Sequence, residues 1–256
     1  MTTPAQETAA QFLFAARNSG RPGARIPAGA RPADIAAALA IQNRVRELVG
    51  LPVGGWKCSA PSEPRPISCA PIFAPTIFRT SPCPVITGGG TTKIEPEIAF
   101  VLGRDLPPRA TPYSEDEVRG ALREARFVLE LMDSRYAEST GISFPELLAD
   151  SVSNQGLFVG PIVNDALSRP LEAFPITVRR NDETLMAKEG KHPDGHPLRP
   201  LYWLANYLAR RGDHLRAGMI VTTGSYCGVI DAPLDVPLTI VYGDLGSLAV
   251  TLTRAA

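Results

Sequence analysis

Two glutamates two residues apart open the chemical reading of this chain. In Thr92-Lys93-Ile94-Glu95-Pro96-Glu97-Ile98-Ala99-Phe100-Val101-Leu102 the apolar and β-branched residues predict a strand over Ile94–Leu102. Side chains two apart on a strand share a face, so Glu95 and Glu97 project together and repel each other. Pro96 between them cannot donate to a ladder, which predicts a strand edge or a bulge at this point. A third carboxylate, Glu130, stands inside the apolar run Phe127–Asp133, a second predicted strand. An acid set there is costly to bury without a counter-charge. A divalent cation is the simplest shared partner for three converging carboxylates. An all-oxygen donor set favours Mg²⁺, with Mn²⁺ an alternative, over zinc. Spacing alone leaves a second reading open, three solvent-facing acids on amphipathic strands, because E-x-E is common on strands and nothing in the spacing brings Glu130 to the other two.

Lys57 lies between Trp56 and a proline-rich stretch. The default for such a lysine is a solvated loop, but near an anionic substrate and three acids its charge would be useful. The three histidines, His192, His196 and His214, all fall in the last third without ligand spacing, and His196-Pro197 reads as a helix start. Gly224-Ser225-Tyr226-Cys227-Gly228 is not G-x-S-x-G, so no serine-hydrolase triad is supported. Cys58, Cys69, Cys83 and Cys227 form no C-x-x-C pair and no zinc spacing, which predicts free thiols in a reducing cytosol. Lys plus Arg equals Asp plus Glu at 26 each, so no overall charge draws nucleic acid or an acidic membrane. No apolar run approaches the roughly eighteen residues of a membrane helix. The first residues lack the ordered basic, apolar and small-residue segments of a secretory signal, and a cytoplasmic location is expected.

These side chains need elements to position them. Ala9, Phe12, Leu13 and Ala16 recur at helical spacing, as do Ile35, Ala38, Leu39, Gln42, Val45 and Val49. From Leu51 to Gly90 the chain holds eight prolines and no helical period, which predicts an irregular surface-running stretch. Lys57–Phe78 is expected to cover the carboxylates as a mobile lid. Ser114-Glu115-Asp116-Glu117 reads as a capping box opening a helix to about Ala125. Further strands are predicted over Gly156–Gly160, Met219–Thr223, Val236–Tyr242 and Ser247–Thr253. Asn181-Asp182-Glu183 reads as the turn of a hairpin, and Pro197–Arg211 as an amphipathic helix. Strand-heavy order with few crossover helices predicts an α+β fold with a mixed or antiparallel sheet system. Residues 1–53 read as an N-terminal helical segment and 54–256 as a β-rich catalytic domain, the whole forming one compact unit.

Several segments together resemble the fumarylacetoacetate hydrolase superfamily, and within it the 2-keto-4-pentenoate hydratase branch. Gly55-Trp56-Lys57 is similar to the branch's G-[WY]-K motif, Ile94–Phe100 to its E-x-E strand, and Leu129–Arg135 to its L-E-[IL]-x-D-x-R strand. Asp150-Ser151-Val152-Ser153-Asn154 followed by Gly156–Gly160 resembles its D-N-x-x-x…G-x-x-x-G stretch. Gly195–Leu198, Trp203–Ala205, Leu215–Gly218 and Thr223-Gly224-Ser225 resemble its C-terminal signature. The resemblance implies a mixed β-sheet roll or barrel with N-terminal helices and one Mg²⁺ held by Glu95, Glu97 and Glu130. It implies Lys57 as the active-site lysine, Ser225 as a substrate contact and Asn154 as pocket wall.

The implied reaction is hydration of a small 2-oxo or 2-hydroxy-dienoic acid in aromatic catabolism, by a homo-oligomer. A 2-hydroxy-2,4-dienoate would be ketonised and then take up water at the far alkene carbon. Two departures bear on this. Cys58-Ser59-Ala60 follows the lysine where x-G-L is usual, and Pro71-Ile72-Phe73-Ala74 replaces P-D-[FY]-G, leaving Ile72 where an acid is expected. A metal-dependent 2-oxo-dienoate decarboxylase, or a non-catalytic partner of such enzymes, therefore stands as an alternative. Superfamily hydrolases carry a His/Glu pair on an N-terminal lid; with no histidine before residue 192, C–C hydrolysis is disfavoured.

Overall fold

A computed structural model describes residues 2–62, 66–138 and 140–255. The chain opens with α1 (Pro4–Ser19) and α2 (Ile35–Val49), then runs through β1 (Val53–Ser59), β2 (Ser68–Phe73), β3 (Ile77–Phe78), β4 (Cys83–Val85) and β5 (Thr91–Leu102). It continues with α3 (Glu115–Arg119), β6 (Leu122–Met132), α4 (Phe144–Ala149), β7 (Asn154–Ile162) and the hairpin β8 (Ala173–Arg180) and β9 (Glu183–Lys191). The last elements are α5 (Leu198–Arg210), β10 (Ile220–Thr222), β11 (Ile230–Pro233), β12 (Pro237–Tyr242) and β13 (Gly246–Arg254). The helices start where local chemistry directs. Thr3 and Gln6 form a capping box on α1, and Asp34 accepts from the Ala37 N–H at 2.8 Å to open α2.

Two sheets form an α+β architecture. The larger runs β2-β1-β10-β5-β6-β7-β3, with β11 also pairing β5; the smaller runs β4-β13-β12-β8-β9. Both are mixed: β1 with β10, β3 with β7 and β4 with β13 are parallel pairs. The large sheet curls into a half-barrel, and period-two alternation gives it two distinct faces. On the inner face Ile72, Ala99, Val101, Val128, Leu157, Val159 and Ile220 form one apolar cluster. On the outer face Ile98, Phe100, Phe127, Leu129 and Leu131 join the smaller sheet and α5 in the main core. A third cluster unites α1 and α2 with Tyr136, Leu148 and Ala149. Gln42 of α2 fastens this layer down, donating to the carbonyls of Cys69 (3.1 Å) and Leu148 (2.7 Å). No helix of the described residues is long and apolar enough to cross a membrane.

Three sequence expectations fail. The stretch from Leu51 to Gly90 is not an irregular covering: it supplies β1 to β4, and β1 lies inside the large sheet between β2 and β10. Lys57–Phe78 is therefore no lid; Lys57 sits on a sheet strand, and Ile72 is fully buried on the inner face. The prolines mislead because they sit where a ladder tolerates them. Pro71 is on β2 and Pro84 on β4, both edge strands that need no outward N–H. Residues 63–65 of the expected lid lie outside the described residues. The helix expected to reach Ala125 stops at Arg119: the Ser114 capping box is present, but β6 begins at Leu122.

Gly55 marks the tightest packing in the sheet. A Cβ there would lie 2.3 Å from the Ile220 carbonyl oxygen, so β1 and β10 approach as only a glycine allows. Gly55→Ala is expected to cost about 1–3 kcal/mol by forcing the backbones apart. Gly88→Ala, where a Cβ meets nothing within 4 Å, should stay within about 0.5 kcal/mol. Urea midpoints of the two variants check this, and equal midpoints would refute the packing account.

Candidate active site

Glu95, Glu97 and Glu130 share the parity of the inner apolar cluster. Glu95 pairs directly with Glu130 across β5 and β6, and Glu97 with Val128. The acids thus lie on the half-barrel's inner face, beside Val128 and Leu157 and next to Ala99 along β5. One carboxylate oxygen from each lies within 4.8 Å of those of the other two, and both Glu97 and Glu130 are 1% exposed. The solvent-facing reading of these acids does not describe this arrangement.

Each of the two deepest carboxylates is held by one oxygen. Glu97 Oε2 accepts from the Thr222 hydroxyl and from the Gly224 N–H (2.8 Å). Glu130 Oε1 accepts from Lys57 Nζ at 2.5 Å and from Asn154 Nδ2 at 3.1 Å. Among the described residues, no hydrogen bond engages the second oxygen of either. Three converging carboxylates, two buried and Glu95 half-buried, suit a hard divalent cation, so the residues present fit the ion that the acid pattern suggests.

Lys57 arrives because β1 lies beside β10, whose Thr222 is its register neighbour and faces Glu97. Its Nζ also donates to the Val152 carbonyl at 3.3 Å. That carbonyl is presented by an unusual turn, in which Ser151, Val152 and Ser153 all adopt left-handed φ of 56°, 51° and 59°. Conformations of this kind cost about 1 kcal/mol or more apiece outside glycine, and persist only where neighbours impose them. Here the buried pair of Arg135 with Asp150 imposes the turn. The Arg135 backbone N–H donates to the Asp150 carboxylate at 3.1 Å, and its guanidinium bonds both that carboxylate and the Asp150 carbonyl (2.8 Å).

Ser225 stands beside the strand rather than in the cluster. Its hydroxyl closes a turn, accepting from the Gly228 N–H at 3.0 Å and lying 3.4 Å from the Pro96 carbonyl. The polar group that the Thr223-Gly224-Ser225 turn aims at the acids is instead the Gly224 N–H. Its φ of +125° requires glycine. Sequence reading assigns no role to Thr222, Gly224 or Val152, although the last two lie in recognised segments. Thr222 is one residue ahead of the recognised turn, and the other two act through backbone atoms.

Crowding sets the protonation. Burial raises the Glu95 carboxyl to about 7, with Glu130 adding to the rise and Lys57 opposing it. Burial, then Glu130 and Glu95, raise Glu97 to about 8 against the hydrogen bonds from Thr222 and Gly224. Burial pulls Lys57 down, but Glu130 and Glu95 outweigh it and the ammonium is held above its ordinary range.

No family model matches the chain. A 2-keto-4-pentenoate hydratase of Dechloromonas aromatica is 37% identical over 134 residues, covering 52% of this chain and 50% of that protein. The chain spans about half the length of this and two similar curated hydratases it matches. A 2-keto-4-pentenoate hydratase of Paraburkholderia xenovorans is 29% identical over 238 residues, covering 88% of this chain and 86% of that protein. In three dimensions a 4-oxalocrotonate decarboxylase of Pseudomonas putida G7, complexed with magnesium and adipate, has a TM-score of 0.74. It is 20% identical, with 98% of this chain and 100% of that one covered, and shares the fold.

The raised carboxyls have a definite sign. With native values above the ordinary 4.5 of a glutamate, the native state holds more protons than the unfolded chain between about 4.5 and 8, so unfolding free energy falls as pH rises through that window. Chelator-treated protein is expected to lose melting temperature from pH 5 to pH 8, and Glu97→Gln to lose less. A wild-type melting curve that is flat over this range would show that the acids do not share one crowded charge.

Proposed function

We propose a function from one premise: the chain belongs to the 2-keto-4-pentenoate hydratase branch of the fumarylacetoacetate hydrolase superfamily. On this reading it is a divalent-cation-dependent hydro-lyase that adds water to a small 2-hydroxy-2,4-dienoate and yields a 4-hydroxy-2-oxo acid. The observation that carries the proposal is Lys57 Nζ seated on Glu130 within a converging trio of carboxylates. The magnesium in the decarboxylase of the same fold supports Mg²⁺ as the ion, with Mn²⁺ an alternative.

Glu95, Glu97 and Glu130 would hold the cation. Bound there, it would neutralise the acids and polarise a carboxylate with its adjacent 2-oxygen, the feature that defines this substrate class. Lys57 keeps its proton across the neutral range because the acids raise its pKa, so it acts as donor and anchor rather than as a free-amine base. Its ammonium attracts the substrate carboxylate and can pass an Nζ proton to the substrate carbon during ketonisation, the proton lost by the 2-hydroxyl restoring the ammonium. Glu130 and the Val152 carbonyl fix the direction of that N–H. Asn154 holds Glu130 in place. The apolar inner cluster beneath, with Ile72 and Val128, keeps bulk water from the diene.

A second reading draws on Ile72. Hydration needs a group to steer water, and the position where the branch usually has an acid is a fully buried isoleucine. Decarboxylation of a 2-oxo-dienoate needs an electron sink and a proton donor but no activated water, so this site would serve it without that acid. Incubation with a panel of 2-hydroxydienoates and Mg²⁺ separates the two. Loss of dienoate absorbance without carbon dioxide marks the hydratase, release of carbon dioxide marks the decarboxylase, and neither marks a non-catalytic partner of such enzymes.

Lys57→Met keeps the stem and removes the charge. Turnover is expected to fall at least about a hundredfold, the low end for a positioned proton-transfer group. Thermal stabilisation by Mg²⁺ should survive. Near-normal turnover in this variant would remove Lys57 from the mechanism.

A further inference from the structure

Beside the start of β7, α1 and the segment after α2 border a cavity of 380 Å³, within the size range of small-ligand sites. A bulge marks this point of the strand. Leu131 pairs with Gly156 and Met132 with Asn154, so Gln155 is the extra residue. Asn154 turns its side chain in to Glu130, while Gln155 lines the cavity and holds the Met132 carbonyl at 3.0 Å. None of Glu95, Glu97, Glu130 and Lys57 lines this cavity.

The walls are apolar, with Phe14, Val49, Phe73 and Ile86, and Leu51 stands at the rim with 43% exposure. Charged groups also face the space: Arg17, Arg21, Arg135 and Asp133. Arg135 is committed to Asp150 by three hydrogen bonds. That leaves Arg17 and Arg21 against Asp133, one positive charge in excess. Arg17 is the informative one. It donates to the Asn154 carbonyl at 3.0 Å and lies 5.7 Å from the Phe73 ring centroid, and among the described residues no carboxylate forms an ion pair with it. A guanidinium with spare donors in an apolar-walled cavity is a seat for an anion, since its fork matches a carboxylate.

We propose that this cavity binds a small organic monocarboxylate with an apolar body, its carboxylate on Arg17 and Arg21 and its chain against Phe14 and Phe73. A single excess positive charge favours a monoanion, and a second carboxylate would meet Asp133. This site is separate from the carboxylate cluster and does not depend on the reaction proposed for it.

Calorimetric titration of hexanoate into chelator-treated full-length protein tests the assignment, with hexanamide as the neutral twin. Saturable binding at one site is expected, with hexanamide at least about tenfold weaker, the least that losing a charge-assisted hydrogen bond should bring. Arg17→Gln should weaken hexanoate by at least about tenfold. Leu51→Asp, which sets a negative charge at the exposed rim, should also weaken it, and covers the case in which the arginine variant fails to fold. Glu97→Gln should leave the affinity unchanged, which separates this cavity from the carboxylate cluster. No saturable heat, equal affinity for hexanamide, full affinity in either cavity variant, or loss of binding in Glu97→Gln would each overturn the assignment.

Discussion

Three carboxylates within 4.8 Å on one inner face are the constraint around which this molecule is arranged. Like charges that close, out of water, are unstable without a counter-charge. The fold answers with what its own strands supply. β1 brings the ammonium of Lys57, β7 the amide of Asn154, β10 the hydroxyl of Thr222, and the following turn the N–H of Gly224. These donors orient Glu97 and Glu130 but do not cancel the charge, and burial still pushes Glu95 and Glu97 toward their protonated forms. A site left short of positive charge in this way is prepared for a cation.

Irregular backbone surrounds the regular strands where the site needs it. On the side of β5 away from β6, β11 covers Thr91–Ile94 and β10 covers Ala99–Val101. Pro96 falls in the gap between them, where no ladder asks for its missing N–H. The loop joining β10 to β11 fills that gap, and from it Gly224 reaches Glu97. Across the site, three consecutive left-handed residues bring the Val152 carbonyl to Lys57. Val152 is β-branched and would not adopt that conformation by choice. The buried Arg135–Asp150 pair, with its partners fixed on both sides, provides the force that keeps it there.

The sequence was legible where chemistry and periodicity coincide. The E-x-E pair on a strand, Glu130 in its apolar run, the hairpin turn at Asn181 and the amphipathic α5 all read directly from spacing. The family resemblance supplies the curled roll or barrel, which no local pattern contains. The segment from Leu51 to Gly90 hides its strands because its proline content argues against them. Pro71 and Pro84 occupy edge strands, and the short β1 shows no clean alternation because most of it is buried on both faces. The helix after Ser114 ends sooner than expected because the capping box marks a start and says nothing of length. Contacts made by backbone groups, such as Gly224 N–H and Val152 C=O, leave no mark in residue type.

Register is what turns these pieces into a site. The β5–β6 ladder keeps one register from the Lys93–Met132 pair to the Val101–Glu124 pair, setting Glu95 opposite Glu130. A slip of one residue would turn Glu130 outward into the main core and Leu129 or Leu131 inward to the acids. Phe127, Leu129 and Leu131 are 2%, 0% and 0% exposed on that outer face, so the slip would exchange well-buried apolar groups for a buried charge with no donor. The apolar residues of β6 that take no part in the chemistry are therefore what hold its carboxylate in place. On β7 the device is reversed. A bulge at Gln155 is one of two register breaks against β6, and that extra residue lets Asn154 serve the inner face while Gln155 ties the Met132 and Ile86 backbones together.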